Sequence, residues 1–178
     1  MSRAATNQRA GMFGLGLIIG LLAYHFLAPL GQPSLKNQPS LFNTEADAAA
    51  DVAAARQRAK EEGKFLMVIF GANWCIDCRT LERRLKSSEV AEYTTDRFDF
   101  AHVDVGKFNN NLDVASEYGI NLQRGIPVAL AFAPDGTVIG VTNDGELDPA
   151  RFYSSQQILR FVRNIAEHSK IIAPDSAQ

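Results

Sequence analysis

Hydrophobic and polar positions follow one another along this chain in blocks of different length, and each length selects an element. From Ala10 to Leu30 no residue is charged; as a helix this block is about 30 Å long, the thickness of a bilayer core. Residues 31–43, GQPSLKNQPSLFN, combine proline, glycine and short polar side chains without an apolar period, the chemistry of a linker. Ala46 to Glu62 is rich in alanine, arginine and glutamate, with Thr44 placed to cap it and Gly63 to stop it, and reads as a helix. Lys64 to Phe70 is a short run of strand formers, and a helical pattern after Gly71-Ala72-Asn73 carries through Leu81 and Leu85. Ser88 caps a short helix ending near Asp96, Phe98 to Val105 reads as a strand, and Asn111 or Leu112 to Tyr118 forms another short helix closed by Gly119. Val128 to Phe132 and Thr137 to Val141 are strands joined by the turn Ala133-Pro134-Asp135-Gly136. The last helix spans Ser155 to His168, with Ile158, Leu159, Phe161, Val162 and Ile165 on its apolar face.

Alternating helices and apolar strands predict parallel pairing with helices on both faces, and the terminal hairpin adds antiparallel strands. The expected fold class is therefore α/β, a three-layer sandwich around a mixed sheet. The limits so drawn are a cytoplasmic N-terminus at 1–9, a transmembrane signal anchor at 10–30, a linker at 31–43, a folded domain at 44–168 and a tail at 169–178.

Length and charge narrow the function. With 178 residues, 46% of them hydrophobic, the chain is long enough for one well-buried domain. Its 18 Lys and Arg balance 20 Asp and Glu without a basic block, so nucleic acid is not an expected partner. Arg3 and Arg9 precede the uncharged block and Lys36 is the nearby cation after it, which orients the N-terminus to the cytoplasm and exports the rest. A cleavage site needs small residues in A-x-A spacing, but Phe26 stands before Ala28 and Leu21 before Ala23, so the block is expected to stay as an uncleaved anchor, with removal as the alternative. The expected location is the inner membrane, single-pass, with the domain in the periplasm or an equivalent exported space.

Trp74-Cys75-Ile76-Asp77-Cys78 holds the only tryptophan and the only two cysteines of the chain. Thiol–disulfide exchange needs one thiolate to attack and a second thiol to resolve the mixed disulfide, and two intervening residues at a helix start bring them together. Cys75 falls in the first turn, where unpaired N–H groups and the helix dipole lower a thiol pKa, and Cys78 about one turn further in. Cys75 is thus the expected nucleophile and Cys78 the resolving thiol. A structural disulfide closing so short a loop would stabilise by only about 2 kcal/mol. Zinc would need two more ligands, and His25, His102 and His168 are widely separated, so no metal is expected.

Three features together resemble thioredoxin from about Thr44 to His168: a strand leading into Trp-Cys-x-x-Cys, Tyr118-Gly119-Ile120 leading to Gly125-Ile126-Pro127, and the hairpin Val128 to Val141 after that proline. The resemblance implies that Pro127 is cis and faces the cysteines, and that the backbone at Ile126 and Pro127 pairs with substrate. It also marks departures. Ile69 stands where thioredoxin has a buried aspartate that assists proton transfer, His102 falls near its buried lysine and offers a base, and Asn121-Leu122-Gln123 lengthens the approach to Pro127. Asp77 lies between the cysteines; a carboxylate about 7 Å from the Cys75 sulfur would disfavour the thiolate by about 0.6 to 2.4 kcal/mol and make the pair more reducing. The same acid in a first turn also complements the helix dipole.

The resulting expectation is a thiol–disulfide oxidoreductase that needs no cofactor and reduces disulfides of exported proteins. Trp74, Asp77 and His102 tune the site, and a membrane thiol carrier is the electron donor that such relatives use. Two alternatives stay open: a redox-inactive binding module, suggested by Ile69, and a disulfide-forming oxidase, if Arg79, Arg83 and Arg84 outweigh Asp77. Ile126 before the proline matches reducing thioredoxins.

Overall fold

The computed structural model describes residues 39–174. The expected cytoplasmic segment at 1–9, the anchor at 10–30 and most of the linker lie outside the described residues, as does the end of the tail. Among the described residues no helix is long and apolar enough to cross a membrane.

Helix α1 (Ala48–Glu62) is followed by strand β1 (Phe65–Gly71), α2 (Ile76–Leu85), α3 (Ser88–Thr94), β2 (Phe98–Asp104) and α4 (Leu112–Glu117). The hairpin β3 (Val128–Phe132) and β4 (Val138–Val141) and helix α5 (Ser155–His168) complete the chain. The strand order is β2-β1-β3-β4, with β1 parallel to β2 and antiparallel to β3, so the sheet is mixed as expected. Six of the seven β1 residues and all five of β3 are buried. Since successive strand residues point to opposite faces, both faces of the sheet centre are covered. Helix α1 packs against β1 and β2, whereas α2 and α3 pack against α5.

Local chemistry accounts for the helix ends. The cap of α1 is Asp47, whose carboxylate accepts from the Ala50 N–H at 3.0 Å. The expected cap, Thr44, lies one turn too early; an acid three residues before a free N–H is the stronger acceptor for the dipole end. Gly63 stops α1 in a left-handed conformation (φ 67°). Ser154 and Gln157 form a reciprocal capping box on α5. Two short 3-10 turns that periodicity does not reveal, Leu122–Arg124 and Ala150–Phe152, bracket the hairpin.

The compact unit begins at Ser40, before the limit drawn at Thr44. Phe42, placed in the linker by composition, is 1% exposed and belongs to the core. Asn73 holds this strap: its Oδ1 accepts from the N–H of Leu41 at 2.8 Å and of Phe42 at 3.1 Å, and its Nδ2 donates to the Phe42 carbonyl at 2.8 Å.

Candidate active site

Strand β1 ends in the middle of the sheet and delivers Cys75 to the N-cap of α2. The two cysteines are joined as a disulfide, and the Cys75 sulfur accepts from the Cys78 N–H at 3.0 Å, a donor at the positive end of the helix. The same sulfur lies 3.6 Å from the Ile126 carbonyl oxygen. The Ile126–Pro127 peptide is cis, so the loop before β3 turns sharply beside the sulfur.

The two sulfurs have different neighbours. Cys75 lines an open cleft of about 380 Å³ with Trp74, Ile76, Phe108, Ile126 and Arg151. Trp74 Nε1 donates to the Gly106 carbonyl at 2.8 Å, and its ring meets Phe108 edge-on at 6.0 Å. Cys78 does not line the cleft. A Cβ on Gly71 would lie 2.8 Å from the Cys78 sulfur and 2.5 Å from Cζ of Phe42, so the inner thiol, the strap and β1 meet where only glycine leaves room.

The lengthened stretch Asn121-Leu122-Gln123 enters the turn Leu122–Arg124. Leu122 and Gln123 join Phe108, Leu112 and Gly125 around a second hollow of about 540 Å³, which shares Phe108 and Gly125 with the cleft. The site thus has a largely apolar annex beyond Phe108 and Gly125.

Charge is arranged in two ion-paired groups. Asp77 is 3% exposed and paired with Arg151, whose backbone N–H donates at 2.7 Å and whose Nε donates at 2.9 Å. Its Nη2 completes the fork. The Asp77 charge considered alone in the sequence therefore has a cation against it. Further along α2, Glu82 accepts from His102 Nε2 at 3.0 Å and from Lys86 Nζ at 2.7 Å. The His102 bond above all, with Lys86, pulls the Glu82 carboxyl down to about 2 against the opposing effect of burial. An ionised carboxylate can only accept, so the His102 proton in this bond sits on Nε2. The His102 ring also meets Phe42 edge-on at 5.4 Å.

The structure gathers Trp74, Cys75, Asp77 and Ile126 around one cleft, joins Pro127 to Ile126 by a cis bond, and places His102 on β2, engaged with Glu82 and Phe42. Residues that sequence reasoning missed are Phe42, Gly71, Asn73 and Arg151. Gly71 had a local signal, a glycine ending an apolar strand; the other three act across the fold and had none.

A family model described as thioredoxin-like matches residues 47–134. Among solved structures, a disulphide isomerase from Xylella fastidiosa Temecula1 is 35% identical with a TM-score of 0.68, the match covering 72% of this chain and 98% of that one. The C-terminal domain of Neisseria meningitidis DsbD in the oxidised form is 25% identical with a TM-score of 0.51, covering 68% of this chain and 98% of that one. No curated protein sequence matches. A solved relative 35% identical over nearly its whole length, with the CxxC pair at the helix start and the cis proline beside it, shows that this chain belongs to the thioredoxin-like family and carries a disulfide oxidoreductase fold.

Proposed function

We propose that this protein is a membrane-tethered thiol–disulfide oxidoreductase that reduces disulfides of exported proteins. The observation that carries the reading is the position of Cys75: at the N-cap of α2, on the open cleft, and 3.6 Å from the Ile126 carbonyl. In the reduced enzyme the Cys75 thiolate attacks a substrate disulfide, forming a mixed disulfide and expelling one substrate thiolate. Cys78 then attacks the Cys75 sulfur, releases the second substrate thiolate and leaves the Cys75–Cys78 disulfide. Two electrons pass to the substrate, and a membrane thiol carrier returns them.

The similarity to the C-terminal domain of DsbD, solved in an oxidised form, supports a redox-active pair, and Arg3, Arg9 and the uncharged block 10–30 support the tether. The test is the equilibrium potential of the pair. A value below about −200 mV supports reduction, whereas one near about −120 mV, the range of strong oxidants, overturns it. Fractionation checks the tether: full-length chain in the membrane supports it, and a soluble protein starting near Gly31 refutes it.

The similarity to the Xylella protein favours a second reading, isomerisation of wrong disulfides. Isomerisation needs Cys75 to attack and later leave without resolution, so a Cys78→Ser protein would keep it while losing net reduction.

A further inference from the structure

The redox helix is gripped at its first turn by a residue from the far end of the domain. Asp77, between the cysteines, is 3% exposed, and burying a carboxylate is costly without well-placed donors. Arg151 supplies them from its backbone N–H and its guanidinium. The turn Ala150–Phe152 that carries Arg151 is fixed independently. Leu147 and Ala150 are fully buried, Arg84 Nε donates to the Tyr153 carbonyl at 3.0 Å, and the Tyr153 hydroxyl donates to the Glu146 carbonyl at 2.9 Å. A staple for this loop therefore exists without Arg151. Yet the Arg151 side chain is 48% exposed and lines the cleft beside Cys75, so its charge stands between Asp77 and the place where substrate enters.

We propose that Arg151 is a positioning residue of the CxxC centre, which, through its pair with Asp77, sets the charge felt by the Cys75 sulfur. Among the described residues that line the cleft, Asp77, Asp148 and Arg151 carry charge. Two acids and one cation sum to −1, and removing only the Arg151 side-chain charge, while the backbone N–H of residue 151 still holds the Asp77 carboxylate, takes the sum to −2. The N–H groups at the start of α2 favour the thiolate, and the two carboxylates oppose it. Arg151 thus keeps the acid within the motif from cancelling the helix. The assignment deepens the exchange reaction proposed above and rests on it.

The test is the pH profile of Cys75 alkylation by iodoacetamide in the reduced full-length protein, with the potential followed through Trp74 fluorescence. Arg151→Gln is expected to slow alkylation near pH 6 by at least about threefold and to make the pair more reducing, as loss of one nearby positive charge from a cleft it shares with Cys75 should. Asp77→Asn is expected to shift both readouts the opposite way by a similar factor. The double variant returns to within about threefold of the parent, and Arg151→Lys, which keeps the cation, stays near it. Both single variants moving in the same direction, or Arg151→Gln leaving the profile unmoved, would overturn the proposal. If Arg151→Gln fails to fold, Asp77→Asn decides: faster alkylation supports the assignment and an unchanged rate refutes it. A parent protein that performs no exchange would sink the redox reading instead, so the two failures are distinguishable.

Discussion

Cys75 faces a cleft rimmed by Trp74, Ile76 and Phe108 and bordered by charge, whereas Cys78, one helical turn away, faces Gly71 and the ring of Phe42. Both residues are nearly inaccessible in the disulfide, so exposure alone does not tell them apart. What separates them is the material on each side. Cys75 has a helix N-terminus, a carbonyl and an ion pair, all of which act on a charged sulfur. Cys78 has hydrocarbon, which disfavours the charged form. In the proposed exchange a single turn of helix separates the attacking thiol from the resolving one.

The most direct way to break this comparison is to remove each sulfur. Cys75→Ser is expected to abolish exchange, while Cys78→Ser should still attack and accumulate as a mixed disulfide with Cys75, visible on a non-reducing gel. In the reduced parent, Cys75 should alkylate at least about tenfold faster than Cys78. Faster labelling of Cys78 would reverse the assignment.

A smaller effect should follow from opening the inner side. Phe42→Ala empties a fully buried ring site and is expected to cost about 3–5 kcal/mol in urea unfolding, with faster labelling of Cys78 in whatever fraction stays folded. Gly71→Ala overfills the same spot from the other direction and should cost about 1–3 kcal/mol. If both substitutions were tolerated within about 0.5 kcal/mol, Phe42 would not be the packing behind Cys78.

The mildest perturbation reaches that packing through Glu82, since His102 bridges Glu82 and Phe42. The Glu82 carboxyl is depressed in the folded protein, so its contribution is complete above its ordinary value of 4.5 and is lost as the pH falls toward about 2. Urea midpoints measured across that window should drop in the parent and drop less in Glu82→Gln, which should also be less stable at neutral pH. Parallel acid profiles for the two proteins would remove Glu82 from this role.

Much of this architecture was legible in the chain because it depends on short-range rules. Residues 155–168 advertise α5 through an apolar face of period 3.6, and residues 128–132 advertise β3 as five consecutive apolar residues before a turn signal. The cysteine spacing, read with the strand before it and the helical pattern after it, places both sulfurs at the first turn of a helix. The strap was not legible. Residues 40–43 have linker composition, and Phe42 becomes core only because Asn73, 31 residues away, binds its backbone and Gly71 leaves a hollow for its ring. Nor was Arg151 legible as the partner of Asp77, since the chain holds 18 basic residues and these two lie 74 apart. Hydrophobic period, capping and cysteine spacing are written within a few residues, so the main helices and strands, their order and the candidate cysteine pair could be read from the chain alone. Which charge meets which carboxylate, and what packs behind a sulfur, depends on segments that come together only when the sheet closes. Those choices, which set the surroundings of Cys75 and Cys78, belonged to the tertiary structure.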